Sequence, residues 1–325
     1  MSASAVPAQT PGGRRRWLTA DRGRLINLGF FLAFVALIVV ASTTTDAFLT
    51  ENNATNLLRQ SVTTGLLALG MLVVILTGGI DLSVGSIVAL AGVMAAGMAA
   101  DMPIALAMAV AIGVAMVCGL VNGVLIARFR LAPFVVTLAA LTTIRGLTYV
   151  YSEVPITPTN ASFLALGSDR VGFVPVATII MLVAFAIVWV FLTRTTVGRA
   201  IVAIGGNEAA VRLAGISVRR HVVLAYVISG FCAGLAGVIL ASRVGIAQPS
   251  VGVAFELNAI AACVIGGARL SGGKGSVLGT LGGVALLTLI DNLLTLYDVQ
   301  SYWQQVLKGL IIAAVVLARR QEEGR

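Results

Sequence analysis

Six polar residues set inside or against long apolar runs carry most of the chemistry this sequence can offer: Asp81, Ser83, Asn122, Glu256, Asn258 and Asn292. Carboxylates accept hydrogen bonds, while hydroxyls and amides both donate and accept. Together they suit a solute rich in hydroxyl groups better than one bearing net charge. For each residue singly interhelical hydrogen bonding is the preferred reading, and for Asp81 or Ser83 it is capping of the helix that follows. Nucleophilic chemistry has less support. Cys118, Cys232 and Cys263 lie in apolar runs with no Cys-x-x-Cys spacing and no nearby histidine, so they read as packing residues. The single histidine, His221, borders a basic loop and reads as solvated or interfacial. Gly267 to Gly275 looks at first like a phosphate-binding loop, but Lys274 is followed by Gly275 rather than by Ser or Thr. The residue five before Gly273 is Ala268, not glycine. No catalytic or metal-ligating set is assigned, and any nucleotide chemistry must come from another chain.

A different kind of site lies at Ile204 to Ile216, a charged helix-and-turn between long apolar segments. Asn207, Glu208 and Arg212 surround the helix-favouring pair Ala209 and Ala210, and Gly215 offers a C-cap. A chain without enzymatic motifs needs such a handle to receive work from outside.

The elements that position these residues are membrane helices. Hydrophobic residues make up 58% of the chain and charged ones 11%, where soluble proteins carry about 25% charge. The pattern excludes a β-barrel, which alternates in segments of about 10 residues. It predicts an all-α, polytopic helical bundle of about ten spans: 25–43, 60–77, 82–100, 103–127, 131–152, 175–193, 221–242, 256–268, 275–297 and 302–318. The eighth is short, and the break at Gly78 to Ser83 interrupts the second and third, so either region could be re-entrant. The first apolar stretch is too long for a signal-peptide core and reads as an uncleaved span.

An even number of spans places both termini on one side. If that side is the cytoplasm, 17 of the 22 lysines and arginines face it, leaving only Arg59, Arg170 and Arg243 outside and Arg145 and Lys308 within spans. The net charge of +9 therefore reads as topology rather than nucleic-acid binding. Residues 1–24 form a basic cytoplasmic tail expected to be disordered, 321–325 a second cytoplasmic tail, and 194–220 a cytoplasmic loop. Lys308 is expected to snorkel or to pair with Asp291 or Asp298.

Glycines recur at four-residue spacing in Gly119 and Gly123, in Gly230 and Gly234, and in Gly275, Gly279 and Gly283, which predicts close helix packing within the chain. The pattern Gly-Gly-x-x-Leu-Ser-x-Gly occurs twice, from Gly78 and from Gly266, as duplicated halves or as chance similarity in a glycine-rich chain.

With these motifs on the page, the chain resembles the transmembrane permease subunit of bacterial ABC importers for monosaccharides, the ribose, xylose and galactose group. The resemblance spans 25–320, which it makes a single permease domain. It rests on the stretches 78–85, 137–146, 205–216, 247–249, 256–262 and 266–275. It implies a multi-pass protein of the bacterial cytoplasmic (inner) membrane, paired with a second permease copy, most often as a homodimer. A cytoplasmic ABC ATPase would bind ATP and magnesium, and a periplasmic or lipid-anchored binding protein would deliver the sugar. By the same similarity Gly205, Gly206, Asn207, Glu208, Ala209, Ala210, Arg212, Gly215 and Ile216 form the helix that docks on the ATPase. Permeases for branched-chain amino acids or nucleosides are the alternative within the fold, and an ion-coupled secondary transporter is the alternative outside it.

Overall fold

The computed structural model describes residues 34–310 together with 29, 32 and 313. The expected basic tails at 1–24 and 321–325, and the outer parts of the first and last spans, lie outside the described residues. The chain divides after Leu49 into two units. In the first, α1 (Phe34–Thr44) is apolar, and its Ser42, Thr43 and Thr44 hydroxyls bond to the carbonyls of Ile38, Val39 and Val40 one turn back. Polar side chains on an apolar helix are thereby satisfied without water.

The second unit runs through α2 (Glu51–Leu76), α3 (Val84–Met98), α4 (Ile104–Phe129), α5 (Pro133–Tyr151) and α6 (Ala161–Ser168). After the hairpin strands β1 (Arg170–Val171) and β2 (Val174–Pro175) come α7 (Val176–Arg194), α8 (Thr196–Gly206), α9 (Glu208–Leu213) and α10 (Val218–Val244). The unit continues with α11 (Phe255–Ile265), α12 (Val277–Leu296) and a helix over 301–310, here α13. Among the described residues, six helices are long and apolar enough to cross a membrane: α2, α4, α5, α7, α10 and α12.

Local chemistry sets the boundaries. Thr50, Thr195 and Ser276 accept amide hydrogens from Asn53, Gly198 and Gly279 at the starts of α2, α8 and α12. Pro133 opens α5, where its missing N–H costs nothing. Two expected spans are shorter than the apolar runs suggested. The third begins only at Val84, because residues 77–83 form a non-helical break. The eighth is an 11-residue helix, about 16 Å long and roughly half of a bilayer core. Its limits are backbone ones: Ala254 at its N-cap is left-handed (φ 65°), and it ends at the turn Gly266-Gly267. The connection between the fifth and sixth expected spans holds α6 and a β1–β2 hairpin pairing Arg170 with Pro175 and Val171 with Val174. An eight-residue helix and two-residue strands are too short to leave a periodic signal.

Burial grades the spans. The apolar window of α2 is 72% buried and that of α10 is 61% buried, against 22% for α4 and for α5, so α2 and α10 form the centre while α4 and α5 turn apolar faces outward. The glycine repeats act within the chain, as expected. A Cβ on Gly119 would strike the Tyr226 carbonyl, one on Gly230 that of Ala115, and one on Gly279 that of Gly266, so α4 meets α10 and α12 meets the end of α11 backbone to backbone. Cys232 and Cys263 are buried, and the Cys263 thiol donates to the Ala68 carbonyl, in line with a packing role.

Contacts sort the loops onto two ends. At one end the loops after α2, α8 and α11 touch. At the other, Ile156 pairs with Ala247, Arg59 donates to the Ser168 carbonyl, and Arg243 donates to the Arg59 carbonyl. Two of the three arginines that broke the expected charge asymmetry are thus tied to backbone oxygens.

Candidate functional site

The charged segment after α7 is two helices rather than one. Asn207 separates them by N-capping α9, its Oδ1 accepting the Ala210 amide at 2.9 Å. At the other end of α9, Gly215 is left-handed (φ 77°) and donates to the Arg212 carbonyl, while Ile216 donates to that of Val211. This is a Schellman closure, which demands glycine at that position. Glu208 and Arg212 pair across one turn on the exposed side. Val211 is buried and anchors the helix, whereas Ala209 and Ala210 are exposed and Leu213 is 90% exposed. Leu213 was not among the residues singled out from the sequence. Its signal was there to read: a leucine two positions after an anchoring valine must point away from the body.

Gly205 and Gly206 end α8 and do a different job. A Cβ on Gly205 would collide with the Leu76 carbonyl and the Gly273 amide, and one on Gly272 would lie 2.8 Å from the Gly78 amide. Three stretches far apart in sequence therefore meet backbone to backbone: the end of α2, the root of α9 and the turn before α12. The two copies of Gly-Gly-x-x-Leu-Ser-x-Gly are neighbours at this joint, whatever their origin.

Three of the six polar candidates converge just past it. Asp81 is fully buried; its Oδ1 accepts from the Ser83 amide at 3.1 Å and from the Ser83 hydroxyl at 2.6 Å, and its Oδ2 accepts from Ser229 at 2.8 Å. Asn122 Nδ2 donates to Ser83 Oγ at 2.9 Å. Ser83 forms no side-chain cap on α3; the carboxylate two residues earlier takes the free amide instead. Thr137 and Tyr226 donate to the Ile80 carbonyl at 3.2 and 3.4 Å. The break between α2 and α3 is thus held by α4, α5 and α10 together. No Lys, Arg or His among the described residues pairs with Asp81. Ser229 and Tyr226 went unnoticed in the sequence because single hydroxyls in apolar helices carry no spacing signal, and Thr137 was noticed only as part of the stretch 137–146.

The other three candidates lie elsewhere. Asn292 and Asn53 form a buried reciprocal amide pair, at 2.7 and 3.2 Å, joining α12 to α2. Glu256 and Asn258 stand half-buried on α11. Arg145 donates through Nη1 to the Pro249 and Val251 carbonyls, at 2.6 and 2.7 Å, and so fastens the loop that leads into α11. The conspicuous stretches 137–146 and 247–249 therefore meet as well. Lys308 pairs with Asp291 at 2.9 Å, one of its two expected partners.

Between α9 and the helical body lies a cavity of about 630 Å³ bounded by the ends of α2, α4 and α8 and the starts of α5 and α10. Its lining includes Gly78, Gly79, Arg130, Glu208, Arg212, Arg219 and Tyr226, so it runs from α9 to the edge of the buried polar cluster.

Residues 53–316 match the family model described as the branched-chain amino acid transport system permease component. The chain is 45% identical over 304 residues to the ribose import permease protein RbsC of Bacillus subtilis, covering 92% of this chain and 94% of that protein. It is 38% identical to the D-allose transport system permease protein AlsC of Escherichia coli, covering 89% of this chain and 90% of that one. It is 35% identical to the galactose/methyl galactoside import permease protein MglC of the same organism, covering 89% and 92%. No solved structure gives a significant match.

Proposed function

The chain belongs to the family of branched-chain amino acid transport system permease components, and from that membership we propose that it is the membrane permease of an ATP-driven importer carrying a monosaccharide. It is a multi-pass membrane protein and a transport component, not an enzyme. The observation that carries the substrate class is the similarity, over about nine-tenths of both chains, to permeases named for ribose, allose and galactose. Ribose is the first sugar to test, since relatives named for it are 40–45% identical.

In this reading ATP and magnesium are bound by a cytoplasmic ATPase, a separate binding protein delivers the sugar, and two copies of the chain flank the path in the inner membrane. Both termini and α8–α9 face the cytoplasm. The exposed surface of α9, with Ala209 and Leu213 beside the Glu208–Arg212 pair, docks on the ATPase. The backbone joint at Gly205 supports a route by which movement of α9 reaches the α2–α3 break, because without side chains in between the contact has little slack. Asp81, Ser83 and Asn122 then act by holding that break, and Glu256 and Asn258 remain candidates for contact with sugar.

The test is uptake by the reconstituted permease, ATPase and binding protein in vesicles. ATP-dependent accumulation of ribose or a related sugar is the expected result. Accumulation of leucine and no sugar would move the chain to the branch its family model is named for, and accumulation of a nucleoside would move it to the other alternative within the fold. Uptake driven by an ion gradient without ATP would make it a secondary transporter.

A further inference from the structure

The cavity beneath α9 carries a charge imbalance that transport of a neutral sugar does not account for. Three arginines line it, Arg130, Arg212 and Arg219, all of them exposed, against the single acidic residue Glu208. Only Arg212 is engaged, by Glu208. The side chains of Arg130 and Arg219 make no hydrogen bond or ion pair with any described residue. Arg130 also sits in the left-handed region (φ 56°) as the C-cap of α4, a conformation that non-glycine residues seldom adopt. Arg219 lies in the first turn of α10, which contains no acidic residue to offset the positive end of that helix. The remaining wall mixes apolar residues such as Ile126, Leu131 and Val222 with the hydroxyl residues Thr77, Ser217 and Tyr226.

Arginines bordering a concave space that also has apolar residues in its wall match a phosphate group carried on a larger body. The volume of about 630 Å³ suits a phosphorylated metabolite. A basic pocket between helix ends on this side also suits a lipid phosphate. We infer that Arg130 and Arg219 form a binding site for a phosphate-bearing ligand in the cavity between the docking helix and the membrane body. On the orientation proposed above the site opens to the cytoplasm, and its occupant touches α9 directly through Arg212.

The full chain in nanodiscs, without ATPase or binding protein, tests this independently of the transport assignment. In phosphatidylcholine discs, calorimetric titration compares ribose 5-phosphate, inorganic phosphate and ribose. Ribose 5-phosphate is expected to bind saturably, and Arg130→Gln/Arg219→Gln to weaken binding by about tenfold or more, while Arg130→Lys/Arg219→Lys retains most of it. Ribose should show no dependence on these arginines. If the source is lipid, soluble phosphates will not bind; phosphatidylglycerol will instead stay with the wild-type chain through detergent exchange, as read by mass spectrometry, and be lost from the glutamine variant. Monodisperse elution of every variant guards against misfolding. Absence of soluble-phosphate binding together with equal lipid retention in all variants would overturn the site, as would phosphate binding that ignores both arginines.

Discussion

The amide of Gly273 donates to the carbonyl of Leu76 at 3.1 Å, joining the turn before α12 to the last residue of α2, with Gly205 packed against both. Such a joint tolerates no added atoms. Gly205→Val should therefore force the backbones apart, at about 1–3 kcal/mol, and depress ATP-driven uptake. Gly282→Ala, where a Cβ meets nothing within 4 Å, should leave uptake unchanged. Equal uptake by both variants would remove the joint from the transport cycle.

Topology has a direct check. Val171 at the β1–β2 hairpin and Leu213 on α9 are both exposed, at 65% and 90%. Single cysteines at these positions should react with an impermeant maleimide from opposite sides of sealed vesicles, position 213 from the cytoplasmic one. Labelling of both from one side would refute the orientation.

Docking by α9 predicts that Ala209→Asp and Leu213→Ser lower ATPase association and sugar uptake together. Neither residue is buried, so folding and membrane insertion should stay normal. A buried, unpaired carboxylate in the interface would weaken association by several kcal/mol. Full uptake by both variants would return α9 to the status of a solvated loop.

Asp81 separates a structural carboxylate from an ion-coupling one. Asp81→Asn can still accept from Ser83 and, after rotation of a hydroxyl, satisfy Ser229, so uptake and melting temperature should change little. Asp81→Leu strands three donors at about 1–3 kcal/mol each and should fail to assemble. An Asp81→Asn chain that melts normally but cannot transport would show that the charge itself takes part.

The Asn53 and Asn292 amides satisfy each other, so their replacement by leucine should not be additive. A double-mutant cycle in thermal melting should give a coupling of about 0.6–2 kcal/mol, with the choice of sugar unaltered. Zero coupling would dissolve the pair, and altered selectivity would return Asn292 to the translocation path.

Much of this protein was legible in one dimension. Of the ten expected spans, the six long apolar helices among the described residues follow from the length of charge-free runs, because a bilayer core demands about 20 apolar residues whatever the neighbours are. The Gly215 cap was legible too, since a helix that ends in a left-handed turn selects glycine locally. Tertiary structure alone decided which polar residues face one another. Asp81, Ser83, Asn122 and Ser229 come from three separate segments, and nothing in their spacing distinguishes that cluster from the Asn53–Asn292 pair. It also decided that α11 stops after 11 residues, because positive-φ positions, not hydropathy, end it. Hydropathy and capping are properties of neighbours along the chain. The partner of a buried hydrogen-bonding group is chosen by helix packing, and here that packing is set by backbone contacts between glycines more than a hundred residues apart.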